Sequence, residues 1–163
     1  MFTLKKQIAV LSHLNLRDEK HGEETVLAAD LKIKADVPNL FLEQLAPGLR
    51  ASLYKDDEDN PALFEDGHMP VLRYSQLEPL KFAVPMPSAQ LVIQDEDPAN
   101  PDLEFTVAIK NILLDCRAGG TVAITFSAAT LPDAHQVGSL SALLGSNVTV
   151  SLFGGEISKE TAD

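Results

Sequence analysis

Four histidines, one cysteine and two runs of carboxylates are the residues of this chain whose chemistry could be put to work. His13, His21, His68 and His135 fall at spacings that place no two of them on one helical face, and a lone cysteine cannot complete a zinc site with them. His21-Gly22-Glu23-Glu24 has the composition of a turn, and a histidine beside carboxylates acts as a general base only where geometry is built around it. Cys116 follows Asp115 at the end of the apolar run Ile112-Leu113-Leu114. The adjacent carboxylate opposes thiolate formation, so this thiol reads as core packing rather than as a nucleophile. The sequence holds no glycine-rich phosphate loop, no GxSxG elbow and no HExxH pair. No catalytic residue, metal or cofactor is therefore expected, and the chain is read as a non-enzyme. Asn147-Val148-Thr149 matches a glycosylation acceptor but falls in an expected strand, and is discounted.

The carboxylate runs are Asp56-Asp57-Glu58-Asp59, inside a charged stretch from Lys55 to Pro70, and Asp95-Glu96-Asp97, which opens a proline-rich stretch ending at Asp102. A calcium loop beginning at Asp57 would need glycine at its sixth position and glutamate at its twelfth, where this chain has Ala62 and His68. Two readings remain, a solvated loop or a surface that steers a basic partner. On the second, the candidate partner-binding residues are Asp56, Asp57, Glu58, Asp59, Asp95, Glu96 and Asp97.

Those loops belong to a chain of 163 residues with 24 acidic against 13 basic side chains, a formal charge of −11. Such a charge repels phosphate backbones and anionic membranes, so direct nucleic-acid binding and membrane association are not expected. One cysteine excludes an internal disulfide, and no apolar run long enough for a leader or a membrane span follows Met1-Phe2-Thr3-Leu4-Lys5-Lys6. The expected compartment is the cytoplasm.

The elements that must position any site are mostly strands. From Leu27 to Val37 apolar residues occupy the odd positions, which predicts Leu27, Ala29, Leu31, Ile33, Ala35 and Val37 on a core and Asp30, Lys32, Lys34 and Asp36 in water. The same alternation recurs in Leu80/Phe82/Val84, Ala89/Leu91/Ile93, Leu103/Phe105/Val107/Ile109, Val122/Ile124/Phe126/Ala128 and Val148/Val150/Leu152. Polar-out alternation marks antiparallel sheet, so the expected fold is mainly β, an antiparallel β-sandwich or curled sheet with two short helices. Gly119-Gly120 supplies a hairpin turn. The helices are expected at Leu40–Ala46, capped by Asn39 and followed by an apolar turn at Leu49 and Leu53, and at about Pro132–Leu144, with Val137, Leu140 and Leu144 on the buried stripe and Gly145 at the stop. We read one β-rich domain over 1–155, with an acidic insertion at about 55–70 and a frayed tail at 156–163.

The run from Leu14 through Arg17-Asp18-Glu19-Lys20-His21 to Glu24, the segment Leu45-Ala46-Pro47-Gly48-Leu49 to Tyr54, and the ending from Gly120 through Phe126 to Val150 resemble a family of small acidic proteins carried by bacteriophages and prophages. The resemblance implies a viral origin and a stand-alone accessory role in a bacterial host cell, and carries no catalytic motif. Three roles follow as expectations. The first is a non-enzymatic accessory protein that binds a phage or host protein of basic surface, in a setting such as phage DNA metabolism, through a strand edge or the acidic loops. The second is an acidic mimic of nucleic acid that inhibits a host defence complex, of anti-CRISPR or anti-restriction type. The third, single-stranded DNA binding, needs exposed aromatics beside a positive groove, whereas Phe82, Phe105 and Phe126 fall on the apolar side of their strands.

Overall fold

The structure, a computed structural model, describes residues 2–58 and 69–154. Six antiparallel strands close into a barrel: β1 (Leu4–His21), β2 (Glu24–Pro38), β5 (Leu80–Asp95), β6 (Leu103–Cys116), β7 (Thr121–Thr130) and β8 (Asn147–Gly154). Their order around the barrel is β1-β2-β7-β6-β5-β8, with β8 paired to both β5 and β1. A two-stranded sheet, β3 (Tyr54–Lys55) with β4 (Val71–Leu72), lies outside it. The expected antiparallel β fold is present in its curled form, with the sheet closed on itself.

Closure follows from where the alternation changes phase. In β5 the buried positions are Val84 and Met86, then Ala89, Leu91 and Ile93. The two apolar segments of the sequence are thus one strand with register shifts between Ala83 and Ala89. In β6, Val107 and Ile109 give way to Ile112 and Leu114 across a shift between Ala108 and Ile112. In β1, Ala9 and Leu11 are buried and Leu14 packs against the core after a shift at Leu11/His13, while Lys6 (φ 47°) marks another. Each bulge bends its strand and increases its twist, which lets a sheet of few strands curl shut.

The interior is filled by side chains. Leu11, Leu31, Ile33, Leu91, Ile112 and Ile124 are fully buried, and Phe2 closes one mouth with its ring edge-on to Phe41 at 5.5 Å and to Phe126 at 5.4 Å. The segment after β2 caps the same mouth through a 3-10 turn (Asn39–Phe41) and two short helices, α1 (Leu42–Leu45) and α2 (Leu49–Leu53). Asn39 does not cap a helix as expected. Its side-chain amide donates to the Met69 carbonyl at 2.6 Å and its Oδ1 accepts from Arg50 Nε at 2.8 Å, because the residue is buried and its polar atoms need partners there. The opposite mouth is covered by α3 (Ala134–Leu143), started by a capping box between Asp133 and Gln136 and stopped before Gly145 (φ 82°). Its buried anchor is Leu140, with Leu143 packed on the core; Leu144, expected on that stripe, lies past the last turn and is 46% exposed.

Candidate functional site

Six strands in antiparallel sequence put three connections at one end of the barrel: the β1–β2 turn, the β5–β6 loop (96–102) and the β7–α3–β8 crossing (131–146). At this end β1 and β2 run on beyond their other neighbours. β8 pairs with β1 only from Leu4 to Val10, and β7 with β2 only from Ala29 to Pro38, whereas β1 and β2 stay paired as far as His21 and Glu24. The result is a two-stranded arm, residues 13–28, turned by Gly22 (φ 69°) at the first position of a two-residue loop, where a II′ hairpin needs positive φ.

The arm explains a departure from the expected strand face. Leu27 was expected in the core, but it sits on the arm where no barrel interior remains to receive it, and is 38% exposed; Leu16, on the same face of the facing strand, is 45% exposed. Leu131, at the end of β7, and Leu144 add two more exposed leucines at this end. Around them, residues 17–27, 95–104 and 131–146 hold ten carboxylates and only two cations, Arg17 and Lys20. Ten of the chain's 24 carboxylates are therefore carried by the segments at this one end of the barrel.

On the arm's outer face the charges pair with one another. Arg17 Nη1 donates to Glu19 at 2.6 Å, and its Nε and Nη2 reach the two oxygens of Asp30 at 3.0 and 3.3 Å; His21 Nε2 lies 2.7 Å from Glu19. The guanidinium holds the Asp30 and Glu19 carboxyls below the usual carboxylate range, and the two carboxylates raise Arg17. A carboxyl whose folded pKa is depressed contributes stability above its unfolded pKa, near ~4, and loses it as pH falls through the folded value. Protection factors of arm amides in hydrogen exchange are thus expected to fall on acidification below about pH 4, and Arg17→Met is expected to remove most of that pH dependence. Equal pH dependence in both proteins would show that the pairs do not hold the arm.

The sequence-predicted residues divide between the two ends. Asp95, Glu96 and Asp97 lie at the arm end. There the loop is organised by its own carboxylates: Asp97 Oδ1 accepts from the Ala99 N–H at 2.9 Å, Asp102 accepts from Gln94, and the Asn100 amide donates to Asp95. Beside it, His135, Ser139 and Leu143 of α3 line a cleft of about 290 Å³. Asp56, Asp57 and Glu58 lie at the other end, since the Tyr54 hydroxyl donates to Arg117 and Thr121 of the β6–β7 turn. At about 3.3 Å per residue, the length of β6 places on the order of 40 Å between the two runs. Asp59 and His68 lie outside the described residues. Two features escaped the sequence reading: the arm, because the alternation of β1 breaks at its bulge, and the gathering of charge, because its three segments are far apart in the chain.

Among the described residues no three histidine, cysteine, aspartate or glutamate side chains converge on a metal-sized site. Cys116 is half-buried, and burial pushes its thiol pKa up. A trough of about 570 Å³ on the barrel wall, with Ile8 and Leu113 at its sides, carries Arg117 at 3.7 Å from Asp36 and 3.6 Å from Asp115, so its charges are largely matched from within. No helix among the described residues is long and apolar enough to cross a membrane. A scan against family models, a search of curated proteins and a search of solved structures found no match for the chain.

Proposed function

We propose that the chain is a non-enzymatic bacteriophage accessory protein that works in the bacterial cytoplasm by binding a phage or host protein of basic surface through the arm end of the barrel. One observation carries this reading: four exposed leucines lie at an end whose three segments hold ten carboxylates against two cations. Apolar side chains rimmed by charge of one sign suit a protein partner, because the rim steers association and the leucines provide area to bury. The viral setting, phage DNA metabolism included, rests on the resemblance of the segments around Arg17, Pro47 and Phe126. The same charge favours a second reading, an acidic nucleic-acid mimic that inhibits a host defence complex. Single-stranded DNA binding has the least support, since Phe105 and Phe126 are buried in the barrel interior.

Association kinetics with a partner captured from phage-infected bacteria test the proposal. Glu23, Glu24 and Glu96 are exposed. Changing all three to Gln is expected to slow association roughly tenfold at low salt and flatten its salt dependence. Neutralising Asp56, Asp57, Glu58 and Asp59 is expected to do much less; the opposite ranking would move the site to the other end. Competition of the partner by duplex DNA separates the mimic reading from the first.

A further inference from the structure

We propose that the longer free edge of the arm, His13–His21 of β1, receives an extended basic segment of the partner as an added strand; this rests on the reading that the partner docks at the arm end. Beyond Val10 the edge of β1 that faces away from β2 has left β8, and Gly145 N–H to Leu11 carbonyl, at 2.8 Å, is the last backbone bond on it. Among the described residues, nothing pairs with His13–His21 on that side. Proteins usually blunt such an edge with charged side chains, proline, a bulge within it, or a covering loop, and of these only charges, Arg17 to Lys20, lie along this edge. This one has no proline or glycine between His13 and His21, its bulge lies at the base, and about nine residues at 3.3 Å give roughly 30 Å of edge.

The side chains select the occupant. On the inner face Leu14 is packed on the core, the exposed Leu16 offers an apolar contact to an added strand, and towards the tip Asp18 and Lys20 follow on the same face. On the outer face the charges of Arg17, Glu19 and Asp30 already satisfy one another, whereas Glu23 and Glu24 at the turn and Glu96 in the neighbouring loop make no ion pair among the described residues. A segment alternating apolar residues with lysine or arginine fits both features. A second copy of this chain does not: arm-to-arm pairing would bring together two ends with ten carboxylates and two cations each.

The probe is a synthetic ten-residue peptide alternating valine and lysine, with a second version N-methylated on alternate backbone nitrogens, so that charge and side chains are kept while one hydrogen-bonding edge is lost. With the full chain, the unmodified peptide is expected to protect arm amides from exchange and to bind at least tenfold more tightly than the methylated one. Equal binding of the two would overturn strand addition while leaving charge-steered docking intact. Failure of both peptides would also overturn it, and the glutamate-to-glutamine kinetics then decide separately whether the arm end is the site. A dimer of the free chain with protected arm amides would assign the edge to a second copy and overturn the proposal.

Discussion

Ile33→Asp is expected to abolish the folded state. Ile33 is fully buried on the inner face of β2, opposite Leu11 of β1 and Phe126 of β7, so the substitution opens a cavity and puts a carboxylate in a space with no polar partner. The two costs together come to roughly 5 kcal/mol or more, comparable to the whole stability of a small domain at about 5–15 kcal/mol. Lys32, its neighbour, is exposed and faces Ser127 across the outer wall; Lys32→Asp is expected to shift stability by less than about 1 kcal/mol. Thermal melts followed by circular dichroism compare the two. A cooperative transition near the wild-type midpoint for Ile33→Asp would show that the strand's faces are misassigned.

The second large effect is expected at Tyr54. Its ring is fully buried, and its hydroxyl donates to the Arg117 carbonyl at 2.8 Å and the Thr121 carbonyl at 3.1 Å, so it pins the segment after β2 to the β6–β7 turn. Tyr54→Ala is expected to cost about 3–5 kcal/mol through the cavity it leaves. Tyr54→Phe keeps the ring and removes the hydroxyl; Thr121 retains the Arg117 N–H at 2.9 Å, so the expected loss is only about 1–2 kcal/mol. Cys116 serves as the reporter, since its thiol interacts with that hydroxyl and burial raises its pKa. Alkylation of Cys116 is expected to be slow in the wild-type protein and faster in Tyr54→Ala, with denaturant melts giving the stability change. Identical labelling rates and midpoints would mean that Tyr54 does not hold this junction.

How far the residues alone lead can be seen at Leu27 and Leu31. Both obey one alternation, yet only Leu31 is buried, because burial depends on whether a third strand stands behind the pair, and β7 stops opposite Ala29. Local periodicity reports which face a side chain takes and not where the barrel ends. The same limit hides continuity: Leu80/Phe82/Val84 and Ala89/Leu91/Ile93 read as two strands because a bulge inverts the phase, and β1 escapes notice for the same reason at Leu11/His13. Helix α3 was more legible, since Asp133 and Gly145 punctuate it chemically as well as by pattern.

The candidate site was legible only in its charge. In the sequence, Asp56-Asp57-Glu58 and Asp95-Glu96-Asp97 are equivalent runs. In the fold, Asp95 to Asp97 join Asp18, Glu19, Glu23 and Glu24 at the arm end, while Asp56 to Glu58 lie at the other end, which also carries Arg50, Lys55, Arg73 and Arg117. That sorting depends on strand order, which no short stretch of sequence encodes.

Hydrogen exchange of the full chain, alone and saturated with the partner captured from infected cells, tests most directly whether the arm end is the binding surface. Slower exchange confined to residues 13–28 and 95–104, with the amides of 39–58 and of the 117–120 turn unchanged, is the predicted result. Protection centred on 39–58 and that turn, with the arm exchanging as in the free protein, would contradict it.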